Sequence, residues 1–213
     1  MTILYKAGIA TELFPVLIFI GVGAMIDFKP LIASPFMLFF GAAAQFGIFA
    51  TMLFAISTGK FSLPEAASIG IIGAADGPTS IYVAKVFAPN YLGPISVAAY
   101  SYMSLVPIIQ PPVIKLLTTS KERKIRMKYT TVHVPKKVEI LFPIVITLIA
   151  GIIAPMSVSL IGALMFGNLI RVCGVLERLS ISAQNELSNL VTILLGITIG
   201  GTMSADAFLN VNT

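Results

Sequence analysis

The chain has 213 residues, of which 57% are hydrophobic and 11% charged, where an average soluble domain has roughly 45–50% and about 25%. Mean hydropathy is +0.96. So few charges cannot cover a soluble globule of this length, which excludes a disordered chain, a nucleic-acid arm and an ordinary soluble enzyme domain. Lipid is the expected solvent for most of the surface. At about 20 apolar residues per span, the length allows at most six or seven crossings. The expected fold is an all-α membrane protein, a single integral unit over 1–213 with about six hydrophobic segments.

In chain order, residues 12–28 are apolar and short for a span, and residues 35–57 are uncharged and long enough to cross. Gly41, Ala42, Ala43, Ala44 and Gly47 give the second segment small residues for close helix packing. Residues 64–87 divide into a short helical half, a breaker-rich centre (Gly73 to Thr79) and a second half. Residues 93–117 carry Pro94, Pro107, Pro111 and Pro112, so a kinked or interrupted helix is expected there. A polar segment, 118–137, precedes three more apolar stretches at 139–154, 156–172 and 182–203.

Charge sets the orientation. Of the 14 basic residues, eight (Lys115, Lys121, Arg123, Lys124, Arg126, Lys128, Lys136 and Lys137) lie between 115 and 137. The positive-inside rule places that loop in the cytoplasm, and topology alone accounts for it, with docking of an acidic partner as the other reading. If every segment crosses once, 12 basic residues fall inside and two (Lys29, Lys85) outside; if 64–87 re-enters, the split is 11 to three. The net charge of +5 is thereby assigned to membrane orientation, with no nucleic acid expected. A single cysteine (Cys173) and a single histidine (His133) leave no disulfide framework, Cys-based cluster or His-rich metal site.

Asp76 is the most informative position. A carboxylate near the bilayer centre costs at least ~2.5–3.5 kcal/mol on insertion scales, so it needs a cation or a proton. Gly73, Gly77 and Pro78 around it cannot sustain a regular helix, and a broken helix offers backbone carbonyls and half-helix ends to an ion. Carboxylate, carbonyls and the Thr79 and Ser80 hydroxyls form an all-oxygen set suited to a hard cation. The plainer alternative is a capping aspartate in an interfacial loop. Glu65 and Lys85 bracket the segment as snorkelling charges. Tyr100 and Tyr102 sit in a small-residue helix, where a phenol packs, ligates or relays a proton. Gln45, Gln110 and Asn168 are expected to hydrogen-bond between helices. Arg171, Glu177 and Arg178 read as a solvated helix end around Gly174.

The segments GVGAMIDFKPLI, GAAAQFGIF, EAASIGIIGAADGPTSIYVAK, LGPISVAAYSYMSLVPIIQPP, LTTSKERKIRM, GNLIRVCGVLERLS and QNELSNLVTILLG resemble, in order, the β subunit of the sodium-pumping biotin-dependent decarboxylases. The resemblance implies a multi-pass subunit of the cytoplasmic membrane that releases CO₂ from carboxybiotin carried by a partner and couples this to Na⁺ export. Its implied partners are the biotin-carrying and carboxyltransferase subunits and a small membrane anchor subunit. Implied catalytic residues are Asp76 and Tyr102, and implied Na⁺ contacts are Asp76, Gly77, Thr79 and Tyr102. Where the family reads Gly-Gly-Ala-Asp, this chain has Gly73-Ala74-Ala75-Asp76. The match corresponds to the central part of a longer subunit, so half of each ion site is expected to lie outside it and the chain alone is expected to be inactive. A secondary Na⁺-coupled carrier without an enzymatic partner, or an inactive fragment, fits the composition and the break as well. The acyl substrate is not legible here, since the family reads it with another subunit.

The orientation has a direct test. A cysteine placed at Ser120, in a chain whose Cys173 has been replaced, is expected to escape an impermeant thiol reagent added to intact cells; efficient labelling would reverse the assignment.

Overall fold

The structure, a computed structural model, describes residues 2–126 and 134–201. Lys128 and His133, together with 202–203 at the end of the last apolar stretch, lie outside the described residues. The described residues contain helices and no strand. In chain order these are α1 (Thr2–Ile9, its Tyr5–Ile9 part wound as a π-helix), α2 (Leu13–Met25), α3 (Lys29–Ala33), α4 (Leu38–Ser57) and α5 (Leu63–Gly70). They continue with α6 (Gly77–Phe87), α7 (Leu92–Leu117), α8 (Lys136–Ile153), α9 (Val158–Cys173), α10 (Glu177–Ser182) and α11 (Ser188–Gly200). Short 3₁₀ turns precede α4, α6, α7 and α9, and a π turn, Ala183–Leu187, joins α10 to α11.

Three helices, each counted with its preceding 3₁₀ turn, are long and apolar enough to cross a membrane: Pro35–Ser57, Pro89–Leu117 and Pro155–Cys173. α1 and α2, bent by 53° at their junction, make a fourth if taken as one span. Each apolar stretch expected from the sequence holds a helix, and fewer than these are long and apolar enough to cross, for local reasons. Residues 64–87 are cut into short pieces, and α8 begins with Lys136, Lys137 and Glu139. The bend between α1 and α2 was not expected, since the apolar stretch was read from residue 12. Glu12 takes a left-handed conformation there (φ 65°), and Pro15 in the first turn of α2 has no N–H to continue the preceding helix. α7, by contrast, runs without interruption through Pro107, Pro111 and Pro112.

The chain divides into two compact units, one formed by Met1–Ala43 with Val134–Thr213 and the other by Ala44–His133. In the first, α2 packs on α9 and α11, and α8 packs on α9. The contact is close because glycines face neighbouring backbone. A Cβ at Gly23 would lie 1.8 Å from the Leu164 carbonyl oxygen, and one at Gly167 would lie 1.9 Å from that of Ile20. Gly21 meets Ser188 Oγ in the same way, at 1.8 Å. This is the small-residue packing that apolar spans use where lipid offers no hydrophobic drive. The C-terminal carbonyls of α2 are closed by α9: buried Asn168 donates to Gly23 O (3.3 Å) and Ile26 O (2.9 Å), and Arg171 Nη1 donates to Met25 O at 2.7 Å. The helix–helix role expected of Asn168 is thus observed, while Arg171 serves as a helix cap rather than a solvated end. Glu139, 6% exposed, is held by Lys29 (3.3 Å) and Lys136 (3.6 Å), beside the Phe28–Phe142 ring pair.

In the second unit, α5 lies against the part of α4 around Ile48, whose carbonyl oxygen would be 2.8 Å from a Cβ on Gly70. α6 packs on α7. The last turn of α7 is closed by its own loop: Arg123 Nη1 donates to the carbonyls of Lys115 and Thr118. Thr119 gives both its N–H (2.7 Å) and its hydroxyl (2.8 Å) to Glu122. Those two bonds hold the exposed Glu122 carboxyl below the usual carboxylate range, the backbone bond counting most.

The glycine contacts give a stability test. Gly23→Ala and Gly167→Ala are each expected to destabilise by roughly 1–3 kcal/mol, because a backbone carbonyl must move aside. Gly196→Ala meets nothing within 4 Å and is expected to be neutral or stabilising by up to about 1 kcal/mol. Thermal unfolding midpoints in detergent decide it; equal midpoints for all three variants would discard the close-packing account.

Candidate functional site at the broken helix

The break expected around Asp76 is present. α5 begins at Ser62, whose N–H and hydroxyl both donate to Glu65 Oε2, at 2.8 and 2.7 Å. Glu65 is therefore the capping residue of this half-helix as well as a charge at its end. The helix tightens into a 3₁₀ turn, Ile71–Ala74, which ends when the Ala75 N–H bonds Ile72 O at 3.0 Å. Ala75 is left-handed (φ 54°, ψ 38°), and Asp76 is extended (φ −131°, ψ 107°). α6 then starts at Gly77-Pro78, with proline in the first turn where a missing N–H does no harm.

Asp76 occupies the N-cap position of α6, yet its carboxylate accepts no backbone N–H. Its Oδ2 accepts the Thr79 hydroxyl at 2.5 Å instead. The Asp76 carbonyl accepts the Ser80 N–H at 3.0 Å and the Ser80 hydroxyl at 2.9 Å. Asp76 thus takes the cap position expected of the plainer reading without making the cap hydrogen bond. Asp76 is half-buried, Gly77, Pro78 and Ser80 are buried, and Thr79 is half-buried.

Four site residues were named from the sequence, and three of them come together. Asp76 and Thr79 are hydrogen-bonded, and Gly77 follows Asp76 directly. Tyr102 lies on α7 at 40% exposure, and no hydrogen bond joins it to the break. The phenol that does face the break is Tyr100: a Cβ on Gly77 would be 2.6 Å from its Cζ and 2.9 Å from its Oη. The residues alone leave Tyr100 and Tyr102 unseparated, and the family resemblance singles out Tyr102. Residues two apart on a helix point about 200° apart, so only one can face α6, but spacing alone does not say which.

Among the described residues no three His, Cys, Asp or Glu side chains converge on a metal position. What the break offers is one carboxylate, hydroxyl oxygens and the carbonyl end of the Ile71–Ala74 turn, whose last carbonyls lack intrahelical donors. That donor set suits a hard, singly charged cation better than a transition metal.

Comparison with known proteins bears on this geometry. Residues 1–213 match the family of the Na⁺-transporting oxaloacetate decarboxylase beta subunit. The chain belongs to that family. It is 56% identical over 201 residues to the methylmalonyl-CoA decarboxylase subunit beta of Propionigenium modestum, an alignment covering 94% of this chain and 51% of that protein. It is 53% identical over 218 residues to the oxaloacetate decarboxylase beta chain of Klebsiella pneumoniae, covering 100% and 50%. The methylmalonyl-CoA decarboxylase subunit beta of Veillonella parvula is 57% identical over 210 residues, covering 99% and 56%. The chain spans about half the length of the relatives it matches. These relatives are named as subunits of decarboxylases of two different acyl substrates, and the family as Na⁺-transporting. The membrane character expected from composition agrees with both the family and the apolar helices.

The left-handed Ala75 yields a test at the break itself. An L-residue there carries roughly 1–2 kcal/mol of strain. Ala75→Gly removes that strain and adds unfolded-state entropy of about 0.5–1 kcal/mol, so a change between neutral and slightly stabilising is expected. Ala75→Val, β-branched, is expected to destabilise by more than 1 kcal/mol on the order of magnitude typical of forbidden backbone positions. Unfolding in detergent that ranks valine at or above glycine would refute the left-handed break.

Proposed function

We propose that this chain is part of the membrane subunit of a decarboxylase complex that couples decarboxylation of carboxybiotin to Na⁺ export across the cytoplasmic membrane. Family membership over 1–213 supports the class of activity. The observation that supports the site is the Asp76 carboxylate at the N-cap of α6, spared from backbone capping and bonded by the Thr79 hydroxyl.

In this reading Asp76 supplies the charge that holds Na⁺, and Thr79, whose hydroxyl donates to the carboxylate, and the Gly77 backbone are further Na⁺ contacts. Na⁺ is cargo here, so it must bind and leave, and a single carboxylate with neutral oxygens gives an attachment that is strong without being permanent. Carboxybiotin, presented by a biotin-carrying partner, supplies a carbamate whose C–N bond breaks to release CO₂ while the nitrogen takes up one proton. Protons and Na⁺ compete for Asp76, so a proton delivered along this path displaces the ion, which is a direct means of coupling. Tyr102, on the neighbouring helix, is assigned to proton and Na⁺ handling at a second site. The partners proposed are the biotin-carrying and carboxyltransferase subunits and a small membrane anchor subunit. The acyl substrate belongs to the carboxyltransferase and is left open between oxaloacetate and the acyl-CoA compounds.

In the complete complex, Asp76→Asn keeps the shape and removes the charge. The apparent Na⁺ affinity for decarboxylation is expected to fall by at least about a hundredfold, equivalent to a few kcal/mol. The parent's apparent Na⁺ affinity is expected to fall as pH falls. Glu65→Gln removes a charge at the start of α5 while its amide oxygen still accepts the Ser62 N–H, and it is expected to change the Na⁺ dependence by less than about threefold. An unchanged Na⁺ dependence in Asp76→Asn alongside its loss in Glu65→Gln would move the site elsewhere.

A further inference from the structure

Tyr100 leaves α7 toward the first turn of α6 and lies against Gly77, while Tyr102 leaves from the other side of the same helix. The ring is half-buried, and α6 and α7 are packed neighbours. Its hydroxyl oxygen sits beside the point where a Gly77 side chain would begin, one residue from Asp76. Asp76 is close enough to be an electrostatic neighbour of this phenol. Even so, no hydrogen bond joins the two, and among the described residues no protein atom bonds the Tyr100 hydroxyl.

Among the described residues no hydrogen bond takes up the Tyr100 hydroxyl, so its lone pairs stay available beside the residue that follows Asp76. A cation held at Asp76 would take charge from the carboxylate and a further, neutral oxygen from this phenol. A side chain at Gly77 would push into Tyr100 Cζ at 2.6 Å, and the ring would have to swing away from Asp76.

We infer that Tyr100 is a direct ligand of the cation held by Asp76, and that Gly77 is glycine to give the Tyr100 ring its place. This rests on the Na⁺-site reading of Asp76 argued above. It separates the two tyrosines of the Tyr100-Ser101-Tyr102 segment: Tyr100 belongs to the Asp76 ion, and Tyr102 to the second site.

The test is equilibrium binding of radioactive Na⁺ to the full-length subunit in its assembled complex, with Li⁺ as competitor. Asp76→Asn, Tyr100→Phe, Gly77→Ala and the Gly77→Ala/Tyr100→Phe pair are compared with the parent. Tyr100→Phe keeps the ring and is expected to leave the thermal midpoint unchanged. It is expected to weaken Na⁺ binding roughly five- to tenfold, about what one lost ligand oxygen removes, and to shift the Li⁺ to Na⁺ preference. Gly77→Ala is expected to weaken Na⁺ by a similar factor. The double variant should bind within about twofold of Tyr100→Phe, since a ring without a hydroxyl has nothing to misplace. If Asp76→Asn abolishes binding while Tyr100→Phe binds as the parent does, the ligand role of Tyr100 is wrong and the Asp76 site stands. If the two single losses multiply in the pair, Gly77 acts on the break itself, and its assignment to Tyr100 falls. Unchanged binding in Asp76→Asn defeats the underlying Na⁺ reading instead.

Discussion

Lipid cannot hydrate a backbone that leaves its helix, so each interruption of an apolar span must have its polar groups satisfied by protein or by something the protein holds. The interruption between α5 and α6 meets this constraint unevenly. Pro78 deletes one donor, Ser80 gives its N–H and hydroxyl to the Asp76 carbonyl, Ala75 returns its N–H to Ile72, and Thr79 gives its hydroxyl to the carboxylate. The donors are largely used up. The oxygens outnumber them: the rest of the Asp76 carboxylate, the carbonyls ending the Ile71–Ala74 turn, and the Tyr100 hydroxyl. Spare acceptors are what the Na⁺ site proposed here requires.

The other compact unit faces the same constraint at the end of α2 and resolves it with side chains. Asn168 and Arg171 on α9 reach the Gly23, Met25 and Ile26 carbonyls, and they can do so because Gly23 and Gly167 let the two helices approach to backbone contact. Those carbonyls are occupied by amide and guanidinium donors. The contrast between the ends is chemical: where α2 stops, the neighbouring helix brings N–H groups; where α5 stops, the neighbouring elements bring hydroxyls and a carboxylate. The first end is closed and structural, and the second remains open to a ligand.

Much of this was legible in the residues. The Gly73 to Thr79 cluster inside an apolar stretch predicts a break, and Asp76 within it predicts a polar site, because glycine, proline and a charge are each costly in a span. Asn168 was readable as an interhelical donor for the same reason. Long-range geometry was less accessible. Nothing in the Tyr-Ser-Tyr spacing says which phenol faces α6, because that depends on how far α7 is rotated about its axis. Glu139 was passed over as the first residue of an apolar stretch; it is buried only because Lys29, more than a hundred positions earlier, folds against it. The prolines of residues 93–117 argue for a kinked or interrupted helix; of these two, interruption does not occur, since each proline inside α7 removes one N–H while the helix continues through it. The bend at Glu12 depends on a left-handed residue that no composition rule marks.

Charge balance limits which ion the proposed site can hold. One carboxylate contributes a full negative charge, and the α6 N-terminus it faces offsets up to about half an elementary charge. A monovalent cation leaves the site near neutrality. A divalent ion would leave more than one uncompensated positive charge in an apolar surrounding, and among the described residues Asp76 belongs to no cluster of three or more acidic, His or Cys side chains that would absorb it. Selection against divalent ions thus follows from the number of carboxylates, before any question of cavity size. Selection between Na⁺ and a proton rests on the neutral oxygens: a proton needs only the carboxylate, whereas Na⁺ gains from each further oxygen within reach. Thr79 occupies Asp76 Oδ2 and leaves the other oxygen for the ion, so the neutral ligands, not the charge, set how far protons must accumulate before they displace Na⁺. The exchange of Na⁺ for a proton proposed for each cycle requires that balance close to even, and a single carboxylate with neutral oxygen ligands is a simple way to place it there.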